Sequence, residues 1–161
     1  MSTNRRLSRS VQIAIIGTLL LLPVALRAED PDPLVVLPPE TIVELLPGSW
    51  GAVIPEPGVL TYEEDGGAAR TVQIYLWPAN GKTLAALTAQ LTQEGEPVEA
   101  IPDLPGADQG IYRPQRSEAT IEKKAGAGEL YWLTVAVHGA ATPEDAKRLA
   151  VELARRGAAK F

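Results

Sequence analysis

The run Leu130-Tyr131-Trp132-Leu133-Thr134-Val135-Ala136-Val137 fits a β-strand and little else. Its β-branched and aromatic side chains suit a pleated, half-buried surface. Alternation places Tyr131, Leu133, Val135 and Val137 on one face and Trp132, Thr134, Ala136 and His138 on the other. The first set is the better core face. Gly139 ends the run, and a helix start follows at once. Thr142 suits the N-cap, Pro143 the first helical position, and Glu144 and Asp145 the first turn. Ala146, Leu149, Ala150 and Leu153 form one apolar stripe. Arg148, Glu152 and Arg156 follow at intervals of four on the other side. Gly157 is the expected stop. A strand and a helix with one apolar side each must bury those sides together, so this unit implies a sheet with a helical layer.

The same order occurs earlier. Residues 59–63 and 71–77 read as strands joined at Asp65-Gly66-Gly67, a hairpin with Val72, Ile74 and Leu76 on its apolar side. Residues 83–94 read as a helix with Leu84, Leu87 and Leu91 on one stripe, closed by Gly95. Residues 95–108 read as a loop around Ile101 and Leu104. Residues 109–113 and 117–124 read as strands, with Ala119 and Ile121 facing in, and 125–128 as the turn into 130–137. The expected fold is α+β: two ββα units, 59–95 and 109–157, forming a mostly antiparallel sheet with both helices packed on one face. An internal duplication and the repeated use of a common motif both fit this pattern.

Ahead of this domain (59–161) lies a proline-rich extension, 29–58, which holds seven of the 14 prolines. Residues 34–37 read as a short edge strand, 39–46 as a short helix stopped by Pro47-Gly48, and 50–57 as a loop. Residues 1–28 read as a signal peptide. Arg5, Arg6 and Arg9 precede the largely apolar stretch 11–26, with cleavage expected after Ala28 and an uncleaved anchor as the alternative. The expected location is therefore the periplasm or the exterior. The chain has no cysteine, so an exported fold would rest on its core alone. Four of the 15 basic residues and none of the 20 acidic ones lie in 1–28, which leaves 11 against 20, a net charge of −9 on 133 residues. That balance argues against nucleic acid as a partner, and against membrane contact beyond the signal segment.

Catalytic and metal signatures are weak. Asn80-Gly81-Lys82-Thr83 stands between strand and helix like a phosphate loop, but Leu76 occupies the position that needs glycine, so a turn is the better reading. His138 is the only histidine and has no cysteine to share a metal. Ser49 and Ser117 lack a nucleophile-elbow setting. No Asp-x-Asp-x-Asp-Gly calcium loop occurs. No cofactor is expected. A paired-carboxylate site needs no proximity in sequence, so a small carboxylate-based hydrolase stays as an alternative.

The most informative candidate is the second sheet face. With both helices on the first, it would present Gln73, Tyr75, Trp77, Trp132, Thr134 and His138, an aromatic and nearly uncharged set. Interface cores are enriched in aromatics and depleted in charge. The occupants to weigh are an envelope protein or small ligand, the segment 29–58 folded back, and a second copy of the chain.

The layout of residues 71–77 followed by 84–91, and 119–137 followed by 142–156, resembles small exported α+β domains of the PsbP/Mog1-like type, including bacterial sensor and lipoprotein domains. The likeness is one of pattern over about 100 residues. The family's frequent cysteines and lipidation site are absent here. It implies a non-enzymatic binding or accessory role, by fold analogy alone. The expected function is an exported, non-enzymatic binding domain of the cell envelope. A carboxylate hydrolase and a self-associating structural protein are the alternatives.

Overall fold

The strand Leu130–His138 lies beside Thr71–Pro78 in the interior of the sheet. The two run antiparallel, with Val72 opposite Val137, Ile74 opposite Val135 and Leu76 opposite Leu133. These six side chains are buried and form the centre of the core. The computed structural model describes residues 31–66, 70–125 and 128–160, so residues 1–28, expected as a signal peptide, lie outside the described residues. In chain order these hold helices α1 (Pro33–Val36) and α2 (Pro39–Leu45), then strands β1 (Trp50–Glu56), β2 (Val59–Glu64) and β3 (Thr71–Pro78). Helix α3 (Leu84–Gln93) is followed by β4 (Glu99–Ala100), β5 (Gln109–Arg113), a 3-10 turn (Pro114–Arg116), β6 (Glu118–Lys124), β7 (Leu130–His138) and α4 (Pro143–Lys160). Among the described residues, seven strands form one antiparallel sheet in the order β1-β2-β3-β7-β6-β5-β4.

The α+β class and the antiparallel sheet are as expected, but the sheet is larger than two ββα units. Residues 50–57, expected as a loop, form the edge strand β1. Pro55 has no N–H to donate, which an edge strand tolerates. The pairing with β2 is also irregular between Val53 and Glu56. Residues 34–37, expected as an edge strand, instead wind into the single turn α1, with Asp32 Oδ1 accepting from Leu34 N at 2.9 Å. Asp32-Pro33 is a cap followed by a proline at the first helical position, and that local chemistry outweighed the short apolar run.

The first face of the sheet carries α1, α2 and α4. Val36, Leu37, Ile42 and Leu46 share one core with Leu60, Tyr62, Ile74, Leu133, Leu153 and Ala154. Tyr62 donates its hydroxyl to the Leu37 carbonyl at 2.8 Å. Helix α4 begins as read: Thr142 Oγ1 accepts from Asp145 N at 3.1 Å. It does not stop at Gly157 but runs through it to Lys160. Gly157 is a packing residue. A Cβ there would lie 2.4 Å from Leu133 Cδ2 and 3.2 Å from Val36 Cγ1, so its bare backbone lets α4 approach β7 and α1.

Helix α3 packs on the opposite face, so the expectation that both helices share one face is wrong. Its Leu84 and Leu91 are buried with Ile111, and Leu87 and Val98 pack against them. Ile111 stands opposite Thr120, Thr120 opposite Thr134, and Thr134 opposite Tyr75, a row on the second face. The place over β2 and β3 that α3 would have filled on the first face is taken by α1. The opposite placement also removes the simplest form of internal duplication. A twofold axis relating the two hairpins would stand normal to the sheet and keep both helices on one side.

Gly157→Ala is expected to lose about 1–2 kcal/mol of unfolding free energy in urea denaturation. Overpacking against the fully buried Leu133 costs about 1–3 kcal/mol, and removing a helical glycine returns only about 0.5–1 kcal/mol. A stabilised variant would show that α4 shifts freely. A second expectation concerns alkali. Burial, and after it the charges of Glu40 and Asp32, push the Tyr62 hydroxyl from 10.0 up to about 12. Between those values the unfolded chain has lost a proton that the folded chain keeps, so stability falls as pH rises through that window. Tyr112 is raised too, chiefly by burial. Tyr62→Phe is expected to be less stable by about 1 kcal/mol at neutral pH, from the lost hydrogen bond. It should also show a shallower alkaline decline than the parent in urea midpoints measured at successive pH values.

Candidate functional site

The second face divides into two halves, and Glu122 sets the boundary. Alternation along β6 turns Glu118, Thr120 and Glu122 to this face. Glu122 is 3% exposed, yet its carboxylate is well supplied with donors. Oε2 accepts from Leu84 N at 2.6 Å and from Trp132 Nε1 at 3.0 Å. Thr83 Oγ1 accepts from Ala86 N at 3.2 Å, so the first turn of α3 is held by a cap and by a carboxylate from the sheet. This explains why Asn80-Gly81-Lys82-Thr83 is a turn. Asn80 and Gly81 take positive φ values of 50° and 78°, and the anion at the helix N-terminus is the chain's own Glu122.

The far end of α3 is fixed by charge. Arg113 on β5 donates to Glu96 Oε1 at 2.8 Å and to Glu118 Oε1 at 2.9 Å, and Arg116 Nε lies 3.7 Å from Glu96. The hydrogen bond from Arg113 holds the Glu96 carboxyl below its usual range. Helix α3 therefore shields the β5–β6 side of the face and leaves the β3–β7 side open.

On that open side a groove of about 560 Å3 is lined by Gln73, Tyr75, Trp77, Thr134, Ala136 and His138 from β3 and β7, by Gln115 and Arg116 from the 3-10 turn, and by Glu118 from β6. Tyr75 and Trp77 are stacked, with centroids 6.4 Å apart and planes 20° from parallel. Trp77 is 40% exposed, an unusual state for a tryptophan in the body of a sheet. Gly58, next to Val59 at the start of β2 and with its carbonyl accepting from Leu76 N, has φ +79°, and a Cβ there would lie 2.8 Å from the Leu76 carbonyl and 3.6 Å from the Trp77 indole. Tyr75 donates its hydroxyl to Gln73 Oε1 at 3.0 Å, and the Thr134 hydroxyl lies 3.0 Å from that of Thr120. His138 is exposed at the end of β7, opposite Thr71.

Five of the six residues singled out in the sequence, Gln73, Tyr75, Trp77, Thr134 and His138, thus meet in one groove. Trp132 pairs with Trp77 in register, but it turns its indole N–H to Glu122 and does not line the groove. The sequence reading missed Gln115, Arg116 and Glu118; Ala136 it placed on this face by alternation but left out of the candidate set. The alternation of Glu118, Thr120 and Glu122 along β6 was the available signal for Glu118. The 3-10 turn that carries Gln115 and Arg116 has no periodic pattern to read. The helices of the proline-rich segment lie on the first face and do not cover the groove.

Chemically the groove offers amides, hydroxyls, an imidazole and one opposed pair of charges around an aromatic pair. Glu96 and Glu118 share the single guanidinium of Arg113 as ion-pair partners. Among the described residues, no group of three His, Asp or Glu side chains is placed to hold a metal ion, and no arrangement points to catalysis. No family model matches the chain, and neither the curated proteins nor the solved structures contain a significant match.

Glu122→Ala leaves the buried Leu84 amide and the partly buried Trp132 indole N–H without this acceptor, a buried donor so left costing about 1–3 kcal/mol. The expected result is a loss of about 2–4 kcal/mol in urea unfolding, with faster hydrogen exchange at the Leu84 amide and a changed Trp132 environment in fluorescence. Glu122→Gln keeps one carbonyl acceptor and should lose less. A change within about 0.5 kcal/mol for Glu122→Ala would refute the docking role.

Proposed function

We propose that this chain is an exported, non-enzymatic binding domain of the cell envelope, and that it takes a small polar ligand, or a protein side chain of similar shape, in the groove on the second sheet face. The observation that carries this reading is the half-exposed Trp77 beside Tyr75, set among amides and hydroxyls in a concavity of about 560 Å3. That size lies within the range of about 300–1,000 Å3 common to small-molecule sites. A purely structural face would bury the indole. Export rests on the character of residues 1–28, and the likeness to PsbP/Mog1-like domains belongs to the same proposal.

Native mass spectrometry of the protein incubated with envelope extract tests the reading. The parent is expected to retain a species that Trp77→Ala and Gln73→Ala lose, by about tenfold or more in occupancy, as for a central aromatic contact. Both variants are expected to fold, because their side chains stand at the open face; circular dichroism checks this. Trp132→Ala is expected to act differently, lowering stability through Glu122. Retention that is indifferent to Trp77 and Gln73 would move the site elsewhere.

A further inference from the structure

The groove at Trp77 has a shape and a polarity that narrow the class of its ligand. Strand β7 forms the floor. Thr134 stands in register between Tyr75 and Thr120, and Ala136 between Gln73 and Glu118. Ala136 is the shortest side chain of its row. The floor therefore sinks between a wall of Gln73 and Tyr75 and a wall of Glu118, Gln115 and Arg116. From Thr134 to His138 this trough follows the strand for about 13 Å, at about 3.3 Å per residue, longer than a single sugar ring. Strand β7 is paired with β3 on one side and with β6 on the other. A peptide laid along it finds no open strand edge to pair with.

The charges of the trough are already accounted for. Glu118 Oε1 accepts from Arg113 at 2.9 Å, and Arg116 Nε lies 3.7 Å from Glu96. A charged ligand would find no unpaired opposite charge to offset its lost hydration. What is left is neutral. Gln73 Oε1 takes the Tyr75 hydroxyl, which leaves the Gln73 amide nitrogen to donate. The Gln115 amide and the His138 imidazole are exposed and have no hydrogen-bond partner among the described residues. Together they supply donors and acceptors alike. Beside them stand Tyr75 and Trp77, with planes 20° from parallel and the indole 40% exposed. We propose, resting on the reading of this groove as a binding site, that its ligand is a neutral oligosaccharide. A pyranose ring has a face of C–H groups that suits the electron-rich face of an aromatic ring. Its rim carries hydroxyls, each of which donates and accepts. One ring lies on Trp77, and the next bonds to the amides of Gln73 and Gln115 on the two walls. An aliphatic ligand would leave those amides unpaired.

Calorimetric titration of the protein with cellotriose, maltotriose and chitotriose tests the proposal, with adenosine as a probe that brings a flat aromatic ring. The expected result is one-to-one binding of at least one triose, saturating below about 10 mM, with adenosine weaker by about tenfold. Trp77→Ala should weaken the triose by about tenfold or more, and Trp77→Phe, which keeps a ring, by less. Gln115→Ala should weaken it by about fivefold, the loss of one hydrogen bond. Should Trp77→Ala fail to fold, magnetisation transferred in the parent from the indole protons to the ring C–H protons of the sugar decides the contact. The proposal is overturned if no triose saturates, if adenosine binds as tightly, or if triose binding is indifferent to Trp77. The envelope extract separates this failure from that of the reading beneath it. A Trp77-dependent species whose fragments show no pyranose units overturns the saccharide and leaves the binding groove standing. The absence of both triose binding and any Trp77-dependent species removes the two together.

Discussion

A single buried carboxylate decides how the two faces of this sheet are used. Glu122 projects from β6 into a site with little solvent, where an unpaired charge would be costly. It is satisfied by the first amide of α3 and by the indole N–H of Trp132. The helix N-terminus contributes partial positive charge, so the carboxylate and the helix end stabilise one another. Because β6 carries the carboxylate, α3 comes to β5 and β6. Leu84, Leu87 and Leu91 then have Ile111 and Val98 to pack on. Everything left open on that face, including the groove at Tyr75 and Trp77, is what α3 does not reach.

The first face follows a different logic, that of filling space. The six residues at the β3–β7 pairing form a flat apolar floor. Helix α4 lies close to it because Gly157 has no side chain, and α1 and α2 fill the remaining area over β2. Tyr62 ties that N-terminal segment down through one buried hydrogen bond, whose donor is kept protonated by the same burial that makes the bond necessary. At the sheet margin, β1 pairs among the described residues with β2 alone, and it carries Pro55 and an irregular pairing. Both features blunt an edge against adding a further strand.

What could be read from the sequence was whatever repeats with a period. The strands β2, β3, β6 and β7 show alternation, and α3 and α4 show an apolar stripe, so these strands, α3 and the start of α4 were legible to within a residue or two. The extent of α4 was misread because glycine stops a helix and also lets one pack closely; Gly157 does the second, and only its neighbours reveal it. Strand β1 and the turn α1 were misread because prolines dominate a short window and mask its pattern. The face taken by α3 was illegible for a deeper reason. Its stripe says that it must be buried, not where. The decision rests on Glu122, 38 residues away from Leu84, and on α1 having taken the alternative place. The candidate site was half legible for the same reason. Residues on β3 and β7 share a face by simple alternation, while Gln115 and Arg116 reach the groove through a turn with no regular period.

The core draws its members from distant parts of the chain. Val36 and Leu37 lie against Gly157, and Arg156 bonds to Glu44 across 112 residues of sequence. The middle of the chain can form its hairpins from local contacts, but the segment 33–46 has no complete partner until α4 exists. Loop-closure entropy of that size must be met before those contacts give anything back. The structure is in this sense clasped by residues 33–46 and α4. A chain delivered from its N-terminal end would hold residues 33–46 in waiting, unable to settle, until the last helix arrived to close the clasp.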